Sequence, residues 1–288
     1  MINLNYQNKL KSIIDYSPDF ILTNGGNELA KDISKSLVSF IIPLPNSNTQ
    51  YQSIGTGFIL KYLDNKLYLC TANHVFKQVL KIGLNNCVLK FTWDNTENNK
   101  ILLSHTIRLS KNNNDFYIDK SHFYIDEQRD YFLIELSEGF LSKMPTDCYI
   151  YFLTKKRLND CGIIPTSSFL ITGFPSNKNK FHKKRKGSSH IQTIVSHEAK
   201  YCNDTNDIYI YADKDAGKVE PDSAYSPVVK DFNPQGMSGS PLFQIYVNEE
   251  KNKYVAIFIG IFTEYRQTEL RYKACILEDR RYELSNKK

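Results

Sequence analysis

The sequence predicts an all-β protein made of two antiparallel six-stranded β-barrels, packed side by side with a cleft between them. Three observations carry that expectation. About a dozen short apolar runs, rich in aromatic and β-branched residues, are separated by polar turns. Hardly any helical periodicity lies between them, which argues against a parallel α/β sheet, because that needs crossover helices. The runs also divide evenly between the two halves of the chain, as two barrels in tandem would.

With 288 residues the chain is long enough to bury a sizeable core. Residues 1–36 form an N-terminal extension, partly helical, because "NELAKDISKSL" follows the breaker "NGG". Residues 37–146 supply the first barrel through "LVSFIIPL", "GTGFILKYL", "KLYLCTA", "CVLKFTW", "ILLSHTIRL" and "YFLIEL". The break falls near "SEGFLSKMPTD", residues 137–147. Residues 147–275 supply the second through "CYIYFLT", "SFLITGF", "IQTIVSHEA", "DIYIYA", "SPLFQIYV" and "YVAIFIGIF". The charged tail, residues 276–288, is helical or frayed. Nineteen Tyr and seventeen Phe suit such a β-rich chain, since aromatic side chains fit a pleated surface.

The net charge of +6 is mild, and most of the excess sits in "KNKFHKKRKG", residues 178–187. So short a basic run is most simply a solvated loop; nucleic-acid contact, a localisation signal or a protease-sensitive loop are the other readings. No stretch reaches the roughly 18 apolar residues of a membrane span. The N-terminus lacks a basic-then-apolar signal-peptide pattern. Cys70, Cys87, Cys148, Cys161, Cys202 and Cys275 are widely spaced, without a CxxC pair, and read as reduced thiols. A cytoplasmic location is the default, with export by another route left open.

Three sites carry candidate chemistry. Ser238 lies in "GMSGSP", where small neighbours permit a turn sharp enough to present a nucleophile. The same turn can aim the N–H groups of Gly236 and Ser238 at one point, as an oxyanion hole requires. His74, in "YLCTANHVF", ends an apolar strand whose character Val75 and Phe76 continue, a setting that can orient an imidazole as a general base. Asp130 opens the apolar strand "DYFLIEL" and could fix the tautomer of a histidine. Taken singly, each has a bland reading: a structural glycine-serine turn, a satisfied histidine, a strand-end aspartate. Their order His, Asp, Ser, with the first two in one half and the serine in the other, is what a site shared by two barrels would give.

On these blocks the chain resembles the trypsin/chymotrypsin superfamily of serine endopeptidases in its bacterial form. "GTGFIL…LYLCTANHV" is similar to the family's G-S/T-G-F strand and T-A-x-H block, "DYFLIEL" to its D-x-A-L-L strand, and "GMSGSPLF" to its G-x-S-G-G/S-P block. "FLITGFP" and "YVAIFIGIFT" match strands of the second barrel, so the resemblance runs from about Leu37 to Cys275. It implies a catalytic His74, Asp130 and Ser238, oxyanion donors on Gly236 and Ser238, and no cofactor or metal. It also implies a specificity pocket floored by Phe232, six positions before the serine, and lined by Thr263 and Glu264. Phe232 would make that pocket shallow or apolar, while Glu264 could favour a cationic side chain if it points inward. Animal digestive members carry an aspartate just before the serine; Met237 stands there, which argues against activation through an N-terminal ion pair.

The expected function is therefore peptide-bond hydrolysis on a protein or peptide substrate through an acyl-enzyme. A protease-like module that binds peptides without turnover is the alternative. Nucleic-acid binding through residues 178–187 ranks lower, because the charge is modest and no nucleic-acid motif is present. A zinc site at Cys70 and His74 lacks a partner pair at ligand spacing. Oligomeric state cannot be read from the sequence.

Overall fold

The structure, a computed structural model, describes residues 33–44, 50–91, 96–97, 100–101, 105–108, 123–141, 144, 148–151, 164–176, 180–182, 191–196, 198–211, 234–248, 253–269 and 271–277. Most of residues 1–36, most of the basic run 178–187, Cys161, Phe232 and the tail from 278 lie outside them.

Two sheets organise these residues. The first contains β1 (Leu37–Pro43), β2 (Gln50–Lys61), β3 (Leu67–Ala72), β4 (Val88–Phe91), β7 (His105–Arg108), β8 (Phe123–Asp126) and β9 (Tyr131–Glu135). Its order is β7-β4-β1-β2-β3-β9-β8, antiparallel throughout. A two-residue pair, β5 (Thr96–Glu97) with β6 (Lys100–Ile101), stands apart from it. Two strands from beyond residue 147 join at β2: β10 (Ile150–Tyr151) in parallel and β12 (Lys180–His182) antiparallel.

The second sheet contains β11 (Ile164–Gly173), β13 (Gln192–Ser196), β14 (Ala199–Cys202), β15 (Asp207–Tyr211), β16 (Pro241–Asn248), β17 (Lys253–Arg266) and β18 (Arg271–Ile276). Its antiparallel order is β13-β11-β16-β17-β18-β15-β14. This is the all-β, two-barrel architecture that the run pattern predicts.

Period-two alternation explains the packing: on β2, Phe58 and Leu60 enter one apolar cluster and Ile59, on the opposite face, another. Val38, Phe40, Ile59, Leu69, Leu89 and Phe132 close one apolar interior within the first sheet. Ile171, Ile194, Ile208, Leu242, Phe262 and Ala274 close another within the second. A third cluster joins the two sheets through Phe58, Leu60, Leu170, Phe243, Ile245 and Phe258. Within it the Phe58 and Phe258 ring centroids are 5.1 Å apart. That apolar seam fixes the barrels against each other, and so fixes residues carried by one relative to residues carried by the other.

The sequence reading missed one element. His74 does not sit on a strand that runs on through Val75 and Phe76, because β3 stops at Ala72 and α1 (Asn73–Ile82) begins at once. Val75, Phe76 and Val79 make a buried face at helical spacing, and Phe76 stacks on Phe132 with centroids 3.8 Å apart. The four-residue α2 (Glu138–Leu141) lies where the sequence places the break between barrels.

Among the described residues five are cysteines and none is in a disulfide; Cys70, Cys87, Cys148 and Cys275 are buried. Burial pushes the Cys87 and Cys275 thiols up to about 12. Burial also lowers the ammonium of half-buried Lys90, on β4, to about 8. A base whose folded pKa is depressed is destabilising while charged, and the penalty lifts as pH rises from about 8 towards its unfolded value near 10.5. The native chain is accordingly expected to gain stability relative to Lys90→Met as pH rises from about 8 to 10.5. The difference between their urea midpoints should shift in favour of the native chain over that range, and a constant difference would refute this.

Candidate active site

The end of β3, the first turn of α1 and the turn before β9 meet at Asp130. This residue has a φ of +57°, in the left-handed region where aspartate is among the better tolerated side chains. In that conformation its carbonyl accepts the Asn73 N–H at 3.0 Å and its Oδ1 accepts the His74 N–H at 2.9 Å. The first N–H groups of a helix have no intrahelical acceptor, and Ala72 offers no side-chain cap. Asp130 caps the helix from another part of the chain, and its negative charge suits the helix N-terminus.

The other carboxylate oxygen, Oδ2, lies 2.6 Å from His74 Nδ1. A carboxylate can only accept, so with a neutral imidazole this contact calls for the tautomer that carries its proton on Nδ1 and its lone pair on Nε2. The imidazole is 42% exposed, enough to meet a ligand, whereas its backbone is fixed by the bond to Oδ1.

Ser238 comes from the second half, in the turn between Pro234 and β16. The backbone groups of this turn are almost fully paired. Gln235 O accepts from Ser176 N at 2.7 Å, Met237 N donates to Pro234 O at 2.9 Å, and Met237 O accepts from Ser240 N at 2.9 Å. Ser238 O accepts from Thr56 N at 2.9 Å, and Gly239 N donates to Phe262 O at 2.7 Å. Gly236 O accepts from Thr56 Oγ1 at 3.1 Å. Among the described residues, the N–H groups of Gly236 and Ser238 alone in Gly236–Gly239 have no acceptor. Gly236 has a φ of +90°, and a Cβ there would lie 2.6 Å from Ser176 N, so both the conformation and the close approach require glycine.

His74, Asp130, Gly236, Ser238, Thr263 and Glu264 all line one cleft of about 710 Å³. The Ser238 hydroxyl donates to Thr263 O at 3.2 Å, so its proton is turned towards that carbonyl rather than towards the imidazole. Thr263 is 4% exposed and its own hydroxyl donates to Lys273 O. Only its carbonyl is thus engaged with the serine. Glu264 is half-exposed and lies 3.3 Å from Arg266 Nε, which offsets the charge it brings to the wall.

Two participants went unassigned in the sequence. Lys273 also lines the cleft, 3.1 Å from the buried carboxylate of Asp207; nothing in the local pattern of "RYKACI" marks it. Thr56 is the second, and its signal was available, since it is the middle residue of "GTG". Among the described residues no cluster of three or more His, Cys, Asp or Glu could hold a metal. Among them, too, no helix is long and apolar enough to cross a membrane.

No protein-family model and no curated protein matches the chain. Solved structures do. Tobacco vein mottling virus protease is similar at 12% identity and a TM-score of 0.44, over 86% of this chain and 80% of the other. A Glu endopeptidase is similar at 13% identity and a TM-score of 0.43, over 88% of this chain and 89% of the other. Deg5 is similar at 15% identity and a TM-score of 0.39, over 87% and 88% respectively. At these identities and scores, what those proteins do is not transferred to this chain.

Proposed function

We propose that the protein is a serine endopeptidase in which Ser238 is the nucleophile, His74 the general base and acid, and Asp130 the residue that orients His74. The observation that carries this reading is the convergence of His74, Asp130 and Ser238 on one cleft, with Asp130 holding the imidazole by Nδ1 and by its backbone.

The chemistry follows from the groups present. In the proposed first step the Ser238 hydroxyl leaves Thr263 O and donates instead to His74 Nε2. The oxygen attacks a peptide carbonyl as Nε2 takes the proton, and Asp130 stabilises the imidazolium that results. The charge developing on the carbonyl oxygen is met by the unpaired N–H groups of Gly236 and Ser238. Breaking the C–N bond returns the proton from Nε2 to the departing amine and leaves an ester on Ser238. Water, deprotonated by the same nitrogen, then releases the acid and regenerates the serine. Each of these steps is a proton or acyl transfer, so the residues named suffice.

The cleft wall supports a peptide substrate whose reacting residue is not selected by a strong negative charge. Glu264 is paired with Arg266, and the cation of Lys273 with Asp207, so neither stands as a free charge in the cleft. Phe232 lies outside the described residues, and its place as pocket floor remains part of the proposal.

The resting bond from Ser238 to Thr263 O also suits a module that binds peptides without turning them over. A fluorophosphonate separates the two, because it reacts with an activated serine and leaves an inactive one untouched. Labelling confined to Ser238, absent from Ser238→Ala, and accompanied by cleavage of a peptide library at a consistent motif is the expected result. Peptide binding without labelling or cleavage would establish the second reading instead.

A further inference from the structure

We propose that Thr56, on β2 of the first barrel, is the residue that holds the Gly236–Gly239 turn of the second barrel in the form that leaves its two N–H groups free. Thr56 is fully buried and every polar atom it has is bonded. Its N–H donates to Ser238 O at 2.9 Å and its hydroxyl donates to Gly236 O at 3.1 Å. That hydroxyl accepts from Phe174 N at 2.9 Å, and the Thr56 carbonyl accepts from Thr71 Oγ1 at 2.7 Å.

The effect is on peptide planes. The Gly236–Met237 plane is held at both ends, by Thr56 Oγ1 on its oxygen and by Pro234 O on its N–H. The Ser238–Gly239 plane is held likewise, by Thr56 N and by Phe262 O. These two planes alternate with the two whose N–H groups are unpaired. The donor planes carry Gln235 O and Met237 O, which accept from Ser176 N and Ser240 N. Thr56 holds the planes on either side of Met237–Ser238, and so fixes the Cα positions of Gly236 to Gly239 from which both free N–H groups are aimed. Thr71, the residue before Ala72 at the start of α1, fixes Thr56 in turn, so one chain of hydrogen bonds links the His74 end of the site to the Ser238 end. The packing agrees, since a Cβ on Gly239 would run into the Thr56 carbonyl and Thr71 Oγ1. Thr56 is a positioning residue: it lines no part of the cleft and acts only through the turn.

The catalytic consequence rests on the reading of Ser238 as nucleophile; the geometric one does not, and the test separates them. Thr56→Val removes the hydroxyl and keeps the shape, whereas Thr56→Ser keeps the hydroxyl. Hydrogen exchange by mass spectrometry on the full chain is expected to show amides of 234–240 exchanging at least tenfold faster in Thr56→Val. Amides of 257–262 should change less than threefold, and Thr56→Ser should resemble the native chain. In fluorophosphonate kinetics, Thr56→Val should lower the maximal inactivation rate by about 100-fold, the size expected for one lost oxyanion donor. The concentration for half-maximal rate should stay within threefold, and Thr56→Ser should restore the rate.

A native protein that takes no label refutes the peptidase reading, and the exchange data then decide Thr56 by themselves. Unchanged exchange in 234–240, or a change spread equally over both barrels, overturns the proposal. Should Thr56→Val not fold, Thr71→Val releases the Thr56 carbonyl and leaves its hydroxyl in place. It is expected to speed exchange in 234–240 more than in 257–262, and no such difference overturns the proposal equally.

Discussion

Asp130→Asn is expected to slow fluorophosphonate labelling of Ser238 by roughly 1,000- to 10,000-fold, with the fold intact. The two oxygens of Asp130 do different work, and asparagine separates them. Oδ1 caps α1 by accepting the His74 N–H, and an amide oxygen can still do that. Oδ2 faces Nδ1 at 2.6 Å, where asparagine would present an NH₂ group instead. Two donors cannot face each other, so the imidazole must keep its proton on Nε2 and lose the lone pair that the nucleophile proposed at Ser238 requires. Asp130→Ala removes the cap as well and should lower stability by about 1–2 kcal/mol. The pair therefore distinguishes loss of tautomer from loss of structure. A less than tenfold effect of Asp130→Asn on labelling, with unchanged urea midpoint, would refute the role proposed for Asp130.

The sequence showed most of the fold and offered the residues of the candidate site, and the reasons differ between residues. Short apolar runs such as "LVSFIIPL" and "SPLFQIYV", rich in β-branched and aromatic residues, declare strands by their length and content. Helix α1 escaped because "NHVFKQVLKI" begins directly at the end of β3, with no Ser, Thr or Asp at the cap position. Its capping group is Asp130, 56 residues away from His74, and only the fold brings it there. Thr56 was visible as a letter in "GTG" but not as a hub, since four of its bonds run to Ser238, Gly236, Phe174 and Thr71. The flanking glycines have a local reason that only packing reveals: a Cβ on Gly55 would collide with the Val75 side chain beside His74, and one on Gly57 would lie 2.7 Å from the Phe40 ring. Glu264 and Arg266 stand two residues apart on β17, where period two puts them on one face and they pair.

Gly239→Ala should cost roughly 3 kcal/mol or more of folding stability, a large part of what a domain of ordinary stability has. Two penalties combine. A φ of +89° strains any L side chain, and the added methyl would run into the Thr56 carbonyl and Thr71 Oγ1 while lying 2.9 Å from Ala72 N. None of these can step aside cheaply. The Thr56 carbonyl is held by the Thr71 hydroxyl, and Ala72 ends the strand that sets His74. Relief has to come from moving the Ser238 turn away from the first barrel, which would break the 2.9 Å bond from Thr56 N to Ser238 O. Gly139→Ala is the control, because nothing lies within 4 Å of a Cβ there and its helical position favours alanine. Chemical denaturation should therefore show a large drop for the first variant and little or none for the second. If Gly239→Ala unfolds like the native chain, the two barrels are not in tight register at this turn, and a nucleophile on one could not be held to the base on the other. If it is destabilised yet still folded at low temperature, labelling of Ser238 in that folded protein should be slower than native, because the turn has moved while the Asp130–His74 pair has not.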